Sequence, residues 1–137
     1  MMQLQPSIVV SSLDYQRLSR LLDGMPECDE SYLLIDELER AQIVAPEFVP
    51  GNVVTMRSVV TFTVLSTQKT VTYRLAYPNE LQVGGENSLS VLTPVGSALL
   101  GLSEGQVIEW PLHDNKTTQV RIDKIIYQPE AAGDLDL

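Results

Sequence analysis

A short segment, residues 90–102, constrains the fold of this chain more than any other. Its sequence predicts a strand that turns directly into a short helix. The Thr93 hydroxyl is suited to cap the helix, and Pro94 falls at the first helical position, where its missing N–H is not needed. Gly101 falls where a left-handed residue ends a helix. Four apolar residues recur at helical spacing and predict a buried face: Val95, Ala98, Leu99 and Leu102.

Composition limits the classes of function. The 137 residues carry a formal net charge of −9, so the overall field repels nucleic acid and favours a protein partner with basic surfaces. Cys28 is the only cysteine, which excludes an intrachain disulfide and fits a reducing cytoplasm. We expect no membrane span and no signal peptide.

The N-terminal third has the pattern of two amphipathic helices. The first is predicted to begin after Ser11 or Ser12 and to end near Leu22, and the second to run from about Asp29 to Ala45. The predicted water-exposed face of the second comprises Asp36, Glu37, Glu39 and Arg40. A short loop between two such helices favours an antiparallel helical hairpin, here residues 1–46.

Beyond a linker at residues 46–52, the hydrophobic period changes from helical to two. Alternating segments near residues 60–64, 71–77, 107–112 and 120–126 predict strands of a sheet that carries the helix of the 90–102 segment. The predicted class is therefore α+β, with an antiparallel sheet in a domain at 51–130. Residues 131–137 are predicted to form a flexible tail.

The order of residues in Ser90–Gly101 resembles the carboxy-terminal motif of bacterial Gre transcript-cleavage factors. Other segments make the whole chain resemble the shorter, related Rnk family: Leu38–Gln42, Val53–Met56 and Tyr127–Asp134. The resemblance implies a short coiled-coil arm followed by an FKBP-like domain with one helix.

The resemblance also implies a partner, the helical rim of the RNA polymerase secondary channel. Carried over by residue, it places Thr93, Pro94 and Gly96 at or near that contact, while Leu92 stands where Gre factors often carry an acid. We expect a monomer, because one polymerase channel accepts one arm, with no cofactor or metal and with DNA contact only indirect, through polymerase.

The predicted arm is too short for the cleavage function of Gre factors. Their arm tip presents acids that help to hold magnesium at the polymerase active centre. Here four acids lie near the tip: Asp23, Glu27, Asp29 and Glu30. A helix of about 15 residues reaches only about 22 Å, roughly half a Gre arm. We therefore expect a non-enzymatic transcription regulator that competes with Gre factors, and these acids also fit a helix-end role.

Three alternatives remain open from the sequence. The first is an FKBP-like peptidyl-prolyl isomerase or chaperone, which rests on fold analogy alone. The second is a true cleavage-stimulating factor. The third is direct control of nucleoside diphosphate kinase, although the chain contains no phosphate-binding loop, and an indirect effect through transcription is simpler.

Overall fold

Two consecutive helices begin the chain in the computed structural model, which describes residues 8–26, 28–78, 87–111 and 116–134. Helix α1 spans Ser12–Asp23 and helix α2 spans Asp29–Arg40. The Ser11 side chain accepts a 3.0 Å hydrogen bond from the Asp14 amide, so the predicted cap is present. Nowhere in the described ranges is a helix long and apolar enough to cross a membrane.

The segments immediately before and after the two helices pair as short parallel strands. Strand β1, Val9–Ser11, pairs with strand β2, Gln42–Val44. Helix α2 therefore ends at Arg40 rather than at the predicted Ala45, because the residues that would extend it pair with β1 instead. A 3₁₀ turn, Pro46–Phe48, then begins the predicted linker.

A five-stranded sheet forms the C-terminal part and carries helix α3, Pro94–Leu99. Its strands are β3 Val59–Val64, β4 Lys69–Ala76, β5 Ser88–Ser90, β6 Val107–Pro111 and β7 Thr117–Tyr127, in the spatial order β5-β4-β3-β7-β6. The prediction of an antiparallel sheet is wrong at one edge, because β5 runs parallel to β4. A three-residue edge strand has no side-chain pattern that would indicate its direction.

The pairing of β7 with β3 is interrupted by two register shifts. At one of them Thr61 pairs with Lys124 and Phe62 with Ile122, so Asp123 is left without a register partner, although its Oδ2 accepts a 2.6 Å hydrogen bond from the Thr63 hydroxyl. Ile122 before this bulge is fully buried, whereas Ile126, which is skipped at the other shift, is 57% exposed. An extra residue in one strand reverses the faces that follow, and the sequence alternation alone does not reveal it.

One hydrophobic core joins the N-terminal helices to the sheet. Leu18 of α1 and Leu34 of α2 are fully buried in the same cluster as Leu99 and Ile122. Helix α2 contacts α3 as well as α1. The structure therefore shows a helical N-terminal region packed on the C-terminal domain. It does not clearly show the predicted coiled-coil hairpin as a separate arm.

Glu37 corrects the predicted water-exposed face of α2. Its residue is only 1% exposed, and its two carboxylate oxygens accept hydrogen bonds of 3.2 and 3.0 Å from the Arg40 guanidinium. Burial raises the pKa of Glu37 to about 7 although Arg40 opposes the shift. A charged residue can occupy a buried position when a neighbour three residues on pairs with it.

Gly101 joins three segments of the chain. Its amide donates to the Val54 carbonyl at 2.8 Å, and its carbonyl accepts from the Val9 amide at 3.2 Å. The residue has φ +82°, as predicted for the end of α3, and a Cβ here would lie 2.6 Å from the Cβ of Ile8. Glycine is required for both the left-handed conformation and the close approach of β1.

Asp14 makes a buried polar link from α1 to the C-terminal domain. It is 4% exposed, and its Oδ2 accepts a 3.1 Å hydrogen bond from the Met56 amide. Burial, followed by the negative charge of Glu130, raises the pKa of Asp14 to about 6, while the Met56 amide, Arg17 and Arg57 oppose the shift. The ionised carboxylate therefore destabilises the fold relative to its protonated form.

A short helix follows β7, and its last two residues fall within the predicted flexible tail at 131–137. Helix α4 spans Pro129–Ala132, and Gln128 before it is 3% exposed. The Gln128 Nε2 donates to the Pro50 and Val53 carbonyls at 2.8 and 2.7 Å. These bonds fix the beginning of α4 to the loop before β3.

We expect the wild type to lose stability as pH rises from about 4 to 6, and the Asp14→Asn variant not to lose it. The folded-state pKa lies above the ordinary value of 3.8, so between about pH 4 and pH 6 the native state keeps a proton that the unfolded state has lost, and stability falls. The side-chain amide of the variant stays neutral and can still accept the hydrogen bond from the Met56 amide. The variant therefore avoids the loss in free energy of unfolding, which amounts to about 3 kcal/mol at most. Urea unfolding at several pH values measures the difference, and a pH-independent difference would contradict the assignment.

Candidate functional site

The candidate site is the corner between β5 and α3. Strand β5 ends at Ser90 on the edge of the sheet, and α3 begins at Pro94. The Thr93 hydroxyl holds the turn between them, because it donates to the Ser90 carbonyl at 2.7 Å and accepts from the Gly96 amide at 3.0 Å. The predicted N-cap at Thr93 and the predicted helix start at Pro94 are both confirmed.

Gly96 allows the close approach at this corner. A Cβ at this position would lie 2.0 Å from the Ser90 carbonyl oxygen and 2.8 Å from the Thr93 Oγ1. Any side chain would therefore separate the helix from the strand that precedes it. Gly96 is itself buried, so it determines the shape of the corner rather than its surface.

Ser97 is a positioning residue of the corner that the sequence reasoning did not identify. It is fully buried, and its hydroxyl donates to the Val91 carbonyl at 2.7 Å. Its amide donates to the Thr93 carbonyl at 2.9 Å. A serine inside an apolar helical face was the available signal, since a buried hydroxyl needs a partner.

The corner carries no charged side chain. Leu92, Thr93 and Val95 are half-buried, and residues 90–97 contain no ionisable side chain. Such a surface can recognise a partner by shape, apolar contact and the hydroxyl group, but it has no charge with which to attract one from a distance.

The acids assigned to the arm tip lie around the connection between the two helices. Asp23 is the exposed last residue of α1, and Asp29 and Glu30 belong to the first turn of α2. Glu27 lies outside the described residues. Among the side chains that the structure describes, no group of three or more His, Cys, Asp or Glu is placed to hold a metal ion.

Comparison with known proteins gives two family matches that together span most of the chain. Residues 6–44 match the Rnk N-terminus, and residues 49–127 match the C-terminal domain of the transcription elongation factor GreA/GreB. The chain is 41% identical to the Escherichia coli K12 protein named "Regulator of nucleoside diphosphate kinase", over 95% of this chain and 96% of that protein. The Shigella flexneri protein of the same name gives the same values.

A solved structure is also similar. The prokaryotic transcription elongation factor GreA/GreB from Nitrosomonas europaea superimposes with a TM-score of 0.70 and 43% identity. The match covers 89% of this chain and 99% of that one. The corner described above lies within the region matched to GreA/GreB.

We expect Gly96→Ala to destabilise the protein by about 3 kcal/mol or to displace α3, because the added methyl group overlaps a backbone carbonyl. Gly51→Ala is the matched control, since a Cβ there meets only the Ala131 Cβ at 3.8 Å. Thermal and urea unfolding measure both variants. Equal, small effects of the two substitutions would show that the corner tolerates a side chain.

Proposed function

This chain belongs to the Rnk family, with a GreA/GreB-type C-terminal domain, and on that premise we propose that it binds RNA polymerase at the rim of the secondary channel. The β5–α3 corner makes the contact, through Thr93 and the backbone that Pro94 and Gly96 hold in place. The observation that carries the proposal is the turn closed by the Thr93 hydroxyl within the GreA/GreB-matched region.

The bound protein competes with Gre factors and does not itself stimulate transcript cleavage. Helices α1 and α2 contain 12 residues each, which corresponds to a length of about 18 Å. Both helices also contribute to the core, so they are not free to extend. Asp23, Asp29 and Glu30 then remain at the channel entrance, too far from the active centre to hold its metal ion.

The name of the Escherichia coli relative connects this family to nucleoside diphosphate kinase. We propose that the connection is indirect, through transcription, and that the chain acts as a regulator and not as an enzyme. In this proposal the chain acts in the cytoplasm as a monomer bound to polymerase.

The direct test is cleavage of nascent RNA in a stalled, backtracked elongation complex. We expect the protein alone to release no RNA fragment and to suppress Gre-stimulated cleavage as its concentration rises. Cleavage by the protein alone would contradict the length argument. Unchanged Gre activity, together with no binding to core polymerase, would overturn the proposed function and favour a chaperone or prolyl isomerase role.

A second prediction tests the corner. Thr93→Ala removes the hydroxyl that closes the turn and should weaken suppression of Gre-stimulated cleavage by about tenfold, whereas Thr93→Ser keeps the hydroxyl and should resemble the wild type. Ser11→Ala is the matched control because it removes the N-cap of α1. Equal loss in Thr93→Ala and Ser11→Ala would mean that general stability, and not the corner, determines competition.

A further inference from the structure

A groove of about 330 Å³ lies between α1 and α2, away from the β5–α3 corner. Its apolar lining comprises Tyr15, Leu22, Met25, Ile35 and Leu38. All of these except Leu38 are at least partly exposed, and Tyr15 reaches 39% exposure. Leu18 and Leu34 of the same helices are fully buried in the core, whereas this lining stays partly accessible. Outside the groove, Tyr32 of α2 is also exposed.

The charged residues at the groove are all acidic. Asp23 from α1 and Glu39 from α2 belong to its lining, and both are exposed. The lining, which lies wholly in the described part of the chain, contains no lysine or arginine. An apolar floor with two carboxylates at its rim is complementary to an apolar side chain that has a cationic neighbour.

We propose that this groove is a second contact with RNA polymerase and that it receives a polymerase segment with a large apolar side chain next to a lysine or arginine. The inference rests on the proposed function, because it takes the same partner. It assigns a role to Asp23 that needs no metal ion: the carboxylate attracts a cationic side chain to the rim of the groove. The uncharged corner recognises polymerase by shape, and the acidic rim of the groove adds electrostatic attraction.

Two pairs of substitutions test the groove by binding to core RNA polymerase. Glu39→Lys reverses a charge at the rim, and Asp36→Lys makes the same charge change at an exposed position of α2 outside the lining. Ser19→Trp fills the groove from the wall of α1, and Gln16→Trp adds the same side chain on an exposed part of that helix. Circular dichroism checks that each variant folds.

We expect Glu39→Lys and Ser19→Trp each to weaken binding by about tenfold, and the two controls to stay within about twofold of the wild type. Wild-type binding should also weaken as salt is added, and less so for Glu39→Lys. Equal effects within each pair would overturn the groove inference and leave the corner contact intact. No binding by the wild type would overturn the groove inference and the proposed function together.

Sedimentation of the free protein tests the competing occupant. A wild-type dimer that Ser19→Trp converts to a monomer would show that a second copy of the chain fills the groove, and the inference would be wrong. A monomer for both proteins is the expected result.

Discussion

The meeting of three backbone segments at Gly101 determines how the two halves of this protein fit together. Its amide binds the carbonyl of Val54, its carbonyl binds the amide of Val9, and a methyl group at its Cα would collide with Ile8. The end of α3, the loop before the sheet and the first strand therefore share one small space. Packing of α1 and α2 onto the sheet, and the buried link from Asp14 to Met56, depend on β1 being held there.

This arrangement places the two proposed contact surfaces on one packed body. Helix α2, which forms one wall of the groove, contacts α3, which begins at the Thr93 corner. The orientation of the groove relative to the corner is fixed before binding. A partner that binds the corner can therefore also contact the groove with little loss of conformational entropy in this protein. A flexible arm would lose more conformational entropy on binding.

The sequence predicted the parts of the fold that local chemistry determines. The caps at Ser11 and Thr93 and the left-handed Gly101 follow from residue type at a helix end, and the family resemblance is confirmed. The direction of β5, the bulge at Asp123 and the burial of Glu37 depend on neighbours that are distant in sequence or on a specific ion pair, so no local pattern reveals them. At the candidate site, Thr93 and Gly96 were identified but Ser97 was not. The role of the corner in docking stays a prediction.

The position of β1 also determines when the protein can fold during synthesis. Ile8 and Val9 are synthesised about 90 residues before Gly101, and they also precede the strands of the sheet, whose core includes Ile8. Until then the apolar faces of α1 and α2 have no surface to cover them, and isolated helices of this length are marginal in water. The two helices are thus made before the surface that covers them, and in the nascent chain their apolar faces are open to chaperones and proteases.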